Sequence, residues 1–174
     1  MNPASSPLGN ASVCRVQTAL AAAGSRSQVL TLSETARTAQ DAANAIGCEL
    51  GAIVKSLVFR IDGQIDGQID DCAVLALVAG DRRCDTKVLP EVLNMAGKCK
   101  RADADLVRLA TGFAIGGVAP LGHPDPLATA LDSSLSRFDV LYAAAGHPHC
   151  VFPTTFDELL ELTKGISSDQ VAII

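Results

Sequence analysis

The sequence lacks most of what an aromatic core, a disulfide framework or a secretory signal would need. Its 174 residues include no Trp and one Tyr, and aromatic residues make up 3% of the chain while hydrophobic residues make up 48%. The core is therefore built from Ala, Val, Leu and Ile. The six cysteines form no C-x-x-C pair, and the start lacks a basic segment followed by a continuous apolar one. We expect a cytoplasmic protein with reduced, mostly buried thiols.

Long apolar runs and excess positive charge are also missing. The longest uncharged runs, 109–124 and 140–156, contain Gly, Pro and His and are shorter than the roughly 20 apolar residues of a membrane-spanning helix. We expect no membrane partner. The net charge of −5 excludes wrapping of a long duplex by bulk electrostatics, so we expect no DNA partner, and any contact with nucleic acid must be local.

The length fits one domain with a self-sufficient core. Residues 1–10 are rich in Pro, Ser, Gly and Asn and predict a flexible N-terminal lead-in, so the predicted domain covers 11–174. Apolar spacing and turn residues then predict the elements of that domain. The predicted helices are 11–23, 35–47, 85–96, 103–110, 133–137 and 154–164. The predicted strands are 28–32, 53–61, 72–79, 98–102, 127–131, 139–145, 150–152 and 170–173.

Strands and helices mix without strict β-α-β alternation, which predicts an α/β fold with one mixed, barrel-like sheet flanked by helices. The repeated DGQI in IDGQIDGQID predicts a hairpin tip. Common site motifs are absent. Val54 stands where a phosphate-binding Walker loop needs Gly before Lys55, and no G-x-G-x-x-G, G-x-S-x-G or H-E-x-x-H occurs. We expect no cofactor.

Two features are not explained by core packing alone. Lys55 lies in the apolar segment 53–61, where burying an ammonium is costly unless it is paired or opens on a cleft; a functional lysine and a snorkelling edge lysine are both compatible with this. The loop from Gly116 to His123 has two adjacent glycines and a stiffening Pro120. Such a loop resembles a cradle of main-chain N–H donors, although a tight turn has the same composition.

In combination these segments resemble a known family. The strand I-V-K-S-L-V-F, the strand V-L-A-L-V-A-G-D about twenty residues on, the loop G-G-V-A-P-L-G-H and a strand ending A-A-A-G resemble the YbaK and prolyl-tRNA-synthetase-associated editing domains over 33–164. The resemblance implies a barrel-like mixed sheet and trans-editing hydrolysis of mischarged aminoacyl-tRNA, with Cys-tRNA(Pro) or a related substrate.

The resemblance also implies roles for particular residues. The essential strand lysine of the family falls on Lys55 and its G-x-x-x-P loop on 116–120, whose amides would hold the terminal adenosine and the ester. We expect Gly116 and Gly117 to donate to the developing oxyanion. In the alanine-specific branch a pocket histidine falls on Ala143, which makes alanine a doubtful substrate. The predicted substrate-binding residues are Gly116, Gly117, Val118, Ala119, Pro120, His123, Ala143 and Gly146.

The segment from Arg82 to Arg101 contains six basic residues and only two acidic ones. This excess of positive charge predicts a patch for the tRNA acceptor stem, although a solvated helix face has the same composition. The patch comprises Arg82, Arg83, Lys87, Lys98, Lys100 and Arg101. A prolyl- or other aminoacyl-tRNA synthetase is a second candidate partner. Two alternative functions remain open: a non-catalytic module binding tRNA or a synthetase, and a metal-dependent hydrolase using His147, His149 and Cys150, although spacing predicts no metal site.

Overall fold

A mixed sheet flanked by short helices forms the centre of the protein. The computed structural model describes residues 6–65 and 68–174. The helices are α1 (Ala11–Ala22), α2 (Ala39–Ile46), α3 (Leu89–Val92), α4 (Ala104–Thr111) and α5 (Phe156–Thr163). The strands are β1 (Leu30–Thr31), β2 (Ile53–Ile65), β3 (Gln68–Ala79), β4 (Arg83–Cys84), β5 (Lys98–Arg101), β6 (Ala128–Asp132), β7 (Leu141–His147), β8 (Cys150–Thr154), β9 (Ile166–Ser168) and β10 (Ala172–Ile173).

The main sheet has the order β1-β8-β7-β2-β3-β6-β9, and β5 also pairs with β2. The β2–β3 hairpin and the β7–β8 pair are antiparallel, whereas β2–β7, β3–β6 and β6–β9 are parallel. The predicted mixed sheet flanked by helices is thus confirmed. Within the described ranges, the end strands β1 and β9 do not pair with each other. In the same residues, no helix is long and apolar enough to cross a membrane.

Alternation along β2 divides the core between the two faces of the sheet. Val54 and Val58 pack into a cluster with α1, α4 and α5, while Phe59 and Ile61 pack into a second cluster that includes Leu89 of α3. Successive side chains of a strand point to opposite faces. Lys55 is therefore on the face of Phe59, as the sequence pattern predicts.

Helix α2 begins four residues later than predicted. Its N-cap is Thr38, whose hydroxyl accepts from the N–H of Asp41 while the Asp41 carboxylate accepts from the N–H of Thr38. This reciprocal capping box fixes the start of the helix. The preceding residues form a loop that hydrogen-bonds the β7–β8 turn, since the N–H of Ala36 donates to the carbonyl of Pro148 at 3.1 Å.

The predicted helix 85–96 is mostly wrong, because only α3 is helical in this segment. Asp85 begins a turn instead: its N–H donates to the carbonyl of Val171, and its carboxylate accepts from the N–H of Lys87. Asn94 has a φ of 56° and ends the segment. The predicted boundaries missed the short strands β4 and β9, and the N-terminal lead-in contains a 3-10 helix at Pro7–Gly9. Residues 1–5 of that lead-in and the tip 66–67 of the predicted hairpin lie outside the described residues.

Candidate active site

The central strand β2 has a gap along one of its edges. It pairs with β3 over twelve residues, but on its other side it pairs with β7 only at Ile53 and Val54, and with β5 only at 59–62. In the described part of the chain, residues 55–57 thus have no neighbouring strand on that side. A sheet edge that is open in the middle leaves room for a loop and a ligand.

Lys55 lies at the start of this gap and is half-buried. Its Nζ donates a hydrogen bond to the backbone carbonyl of Arg82, which follows β3. Burial lowers the pKa of the ammonium below its usual 10.5, and the carboxylates of Asp81 and Asp132 oppose that shift. The lysine is therefore a partly desolvated cation with one backbone partner, neither a freely exposed side chain nor a fully neutralised one.

A cavity of about 360 Å³, the Lys55 cavity, opens beside this lysine. Its wall combines Lys55 with Gly116 and Val118 of the glycine loop, with Tyr142, Ala144 and His147 of β7, and with the start of α2. Most of the remaining lining is apolar. A small apolar chamber with a few polar groups at its edge is the usual form of a small-molecule site.

The two adjacent glycines of the loop differ in their roles. Gly116 has a φ of +93°, and a Cβ added to it would meet nothing within 4 Å. Gly117 lies against β7, because an added Cβ would come within 3.2 Å of the backbone of Gly146 and His147. The N–H of Gly117 donates to the carbonyl of Ala114 at 3.0 Å. The expectation that Gly117 donates to an oxyanion is therefore wrong for this conformation, since its donor is already used in a turn.

The end of the loop turns away from Lys55. Ala119 is fully buried in the core, and Pro120 and His123 line a separate cavity of about 700 Å³. The His123 Nε2 is 2.8 Å from the carbonyl oxygen of Ala119, and its ring makes an edge contact with Phe113. Burial lowers the pKa of His123. Of the predicted loop residues, the structure brings only Gly116 and Val118 together with Lys55 in one cavity.

The predicted residues of β7 also need correction. Ala143 is fully buried in the hydrophobic core, and alternation places its neighbours Tyr142 and Ala144 in the Lys55 cavity instead. Gly146 has a φ of +89° at an irregularity in the β7–β8 pairing, and an added Cβ would meet the Ser12 carbonyl oxygen at 2.8 Å. Ala143 therefore does not face the cavity, so its identity gives no argument against alanine as a substrate.

The residues of the metal hypothesis do not converge on one point. His147 Nδ1 accepts a hydrogen bond from the backbone N–H of His149 at 3.1 Å, and His149 Nε2 lies 2.6 Å from the Thr35 hydroxyl. Cys150 is buried at the start of β8. In the described residues, no three His, Cys, Asp or Glu side chains are grouped so that they could hold a metal ion.

The predicted basic patch falls into two segments. Arg82, Arg83 and Lys87 lie between β3 and α3, next to the Lys55 end of β2, and the other three cations lie on β5, opposite 59–62 of β2. Lys100 forms an ion pair with Asp62, which also pairs with Arg60 at 2.9 Å. These partners lower the pKa of Asp62. Part of the positive charge on β5 is thus neutralised within the protein.

Arg37, beside the α2 N-cap, and Tyr142 also line the Lys55 cavity, although sequence reasoning did not select them. The Thr38-x-x-Asp41 capping box is a signal that could have placed Arg37 at a helix start. No comparable signal identifies Tyr142, because the face of β7 to which it points depends on the register in which β7 pairs with β2.

Comparison with known proteins adds an independent observation to this geometry. The model of the aminoacyl-tRNA editing domain matches residues 33–162. The chain belongs to this family. One solved structure, described as a proposed trans-editing enzyme for prolyl-tRNA synthetase, is 40% identical; it superposes with a TM-score of 0.80 over 92% of this chain and 96% of its own.

Two further relatives of this editing-domain chain extend the comparison. The uncharacterised protein YwhH of Bacillus subtilis (strain 168) is 33% identical over 126 residues, which are 72% of this chain and 74% of that protein. A solved structure of a hypothetical protein has 23% identity and a TM-score of 0.79, with 91% of this chain and 99% of that one covered. This last likeness concerns the fold alone.

Proposed function

We propose that this chain is a trans-editing deacylase, which hydrolyses the ester bond between a wrongly attached amino acid and the 3′ end of a tRNA in the cytoplasm. The observation that carries the proposal is that Lys55 and Gly116 line one cavity within an aminoacyl-tRNA editing domain. The 40% identical relative, described as a proposed trans-editing enzyme for prolyl-tRNA synthetase, supports the same reaction.

The reaction needs stabilisation of charge more than a strong nucleophile, because an aminoacyl ester is already activated. Water adds to the carbonyl carbon, and the carbonyl oxygen becomes negative. Collapse of this intermediate breaks the bond to the ribose oxygen, which takes up a proton, and releases the free amino acid. A cation and N–H donors that are held in place beforehand stabilise the negative oxygen in a site with little water.

Lys55 and Gly116 are the groups that we assign to this task. The backbone carbonyl of Arg82 holds the Lys55 ammonium at the edge of the cavity. Among the backbone hydrogen bonds of the described residues, the N–H of Gly116 donates none, so it is available to a ligand. Family resemblance adds the ribose 2′-hydroxyl of the substrate as a group that orients the water.

The amino acid would occupy the apolar part of the Lys55 cavity, between β7 and α2. Ala144 and Tyr142 then limit the size of its side chain. Cys-tRNA(Pro) or a related mischarged tRNA remains our proposed substrate. The acceptor stem would contact the other cations of the basic patch, Arg82, Arg83, Lys87, Lys98 and Lys100. A prolyl- or other aminoacyl-tRNA synthetase is a proposed second partner.

A deacylation assay over a panel of mischarged tRNAs tests the proposal. We expect release of at least one amino acid, and loss of that release with Lys55→Met. A non-catalytic module of the same fold would bind tRNA without releasing any amino acid from the panel. Equal rates for Lys55→Met and the parent protein on the best substrate would refute the role of Lys55.

A further inference from the structure

A second cavity adjoins the Lys55 cavity and shares a wall with it. This Arg101 cavity has a volume of about 300 Å³. Both cavities are lined by Ser56, Leu57, Ile115, Gly116 and Val118. The loop around Gly116 is therefore a ridge between the two chambers, and a ligand held at Gly116 can extend into either of them.

The gap in the sheet explains why the second chamber exists. Strand β7 leaves β2 after Val54, and β5 joins it only at Phe59, so the Arg101 cavity lies between them, beside the open edge of β2. The Ser56 hydroxyl at this edge is buried and has no hydrogen-bond partner among the described residues. An unpaired buried hydroxyl is costly, which indicates that a bound ligand satisfies it.

The chemistry of this cavity differs from that of the Lys55 cavity. Arg101 lines it from the end of β5, is exposed, and forms no ion pair with any described residue, unlike Lys100 on the same strand. A guanidinium that is free of internal partners can bind a phosphate through two parallel hydrogen bonds. Ile115 on the ridge is 63% exposed and offers an apolar surface beside this cation.

A cation beside an exposed apolar side chain, in a groove continuous with a reactive site, is suited to single-stranded nucleic acid. The cation binds the backbone. The exposed Ile115 side chain gives an apolar surface against which a base can pack. We propose that the Arg101 cavity binds the nucleotide that precedes the terminal adenosine of the substrate, with Arg101 on the phosphodiester that joins the two. This inference rests on the proposed function, because the terminal adenosine ester must lie at Gly116.

Two minimal substrates separate this subsite from the reaction itself. They are the aminoacyl ester of adenosine and that of the dinucleotide cytidylyl-adenosine, which carry the same amino acid and differ in the added nucleotide and its phosphodiester. We expect kcat/KM to be about 10-fold higher for the dinucleotide ester, and Arg101→Gln to remove this advantage without changing the rate on the adenosine ester.

Salt dependence gives a second readout that a merely structural effect would not change. Salt screens the attraction between an exposed guanidinium and a phosphodiester, so kcat/KM for the dinucleotide ester should fall as the salt concentration rises. Arg101→Gln should weaken this salt dependence for the dinucleotide ester only. Arg108→Gln is the matched control: it removes an exposed arginine of α4 that lines neither cavity and should change neither substrate.

Three results would overturn the subsite. They are equal kcat/KM for the two esters with the parent protein, an equal loss of kcat/KM on both esters with Arg101→Gln, and a loss with Arg108→Gln on the dinucleotide ester equal to that with Arg101→Gln.

Calorimetric binding of free cytidylyl-adenosine separates the subsite proposal from the deacylase proposal. If no ester is hydrolysed but the dinucleotide binds and Arg101→Gln weakens that binding about 10-fold, the deacylase proposal fails and the subsite stands. If the dinucleotide does not bind either, both fail.

Discussion

Replacing Gly116 with alanine tests whether the loop beside Lys55 needs its left-handed backbone. The φ of +93° is one that a residue with a Cβ rarely adopts, although the space around Gly116 is open for at least 4 Å. The substitution therefore creates strain in the backbone without a steric clash. The chain can accept the strain and place a methyl group at the cavity wall, or it can relax to a negative φ and rotate the N–H away from the cavity.

The cost in stability follows from the backbone conformation. A left-handed conformation costs a residue with a Cβ roughly 1–2 kcal/mol. In a protein of this size this lowers Tm by about 2–8 °C. Gly24→Ala is the matched control, because Gly24 follows α1 with a φ of +74° and also has nothing within 4 Å of an added Cβ. We expect a similar loss of stability from both variants.

The two variants should differ in activity. Losing one preorganised donor to an oxyanion lowers a rate by about 100-fold, so Gly116→Ala should deacylate about 100-fold more slowly in single-turnover assays, while Gly24→Ala retains the parent rate. Thermal unfolding of both variants checks that the two substitutions lower Tm by the same amount. If Gly116→Ala is destabilised as much as Gly24→Ala but deacylates within twofold of the parent, then the N–H of Gly116 has no part in the reaction.

Four further predictions concern other residues. Lys55→Met should lower deacylation by about 100-fold. Because burial lowers the Lys55 pKa, the folded protein binds fewer protons than the unfolded chain between that lowered pKa and 10.5. The stability of the parent protein, measured in urea titrations, should therefore rise with pH across this window, and that of the variant should not. Ser56→Ala should raise stability by about 1 kcal/mol in the same titrations, since it removes an unpaired buried hydroxyl, and a loss would mean that water satisfies the hydroxyl. Ala119→Val should destabilise the protein by about 1–3 kcal/mol, because Ala119 is fully buried, and unchanged denaturation would contradict that packing. Dialysis against a chelator should leave deacylation unchanged, because His147 Nδ1 is already occupied; restoration of a lost rate by zinc would contradict this.

Features that depend on short-range patterns were predictable from the sequence. The alternation of residues 53–61 gave the correct faces for Val54, Lys55 and Phe59, because successive side chains of a strand point to opposite faces whatever its neighbours are. The adjacent glycines of the loop likewise allowed a tight turn, and Gly116 has a positive φ within that loop. Both observations concern a single element and its own backbone, so neither needs knowledge of distant contacts.

Features that depend on tertiary partners were not predictable. Whether the N–H of Gly117 is free depends on its turn with Ala114, and which residue of β7 faces the cavity depends on a register that pairs Val54 with Ala143. A shift of one residue in that register exchanges Ala143 and Ala144 between core and cavity. The resemblance to editing domains identified the strand correctly, but it could not by itself fix which alternate side chain faces the ligand.

The gap in the strand pairing of β2 explains both why Lys55 can stand in an apolar segment and why it lies at the candidate site. If strands paired along both edges of β2, their side chains would flank Lys55 and bury more of its ammonium, which would be destabilising or would favour loss of its proton. Because β7 ends its pairing at Val54 and β5 begins at Phe59, the strand instead has an opening where Lys55 is half-buried and the Gly116 loop faces it. A lysine in an apolar segment is thus tolerated for the same reason that a ligand can reach it. Larger side chains at position 116 would fill the gap, and they should lower the deacylation rate more than they lower the stability of the fold.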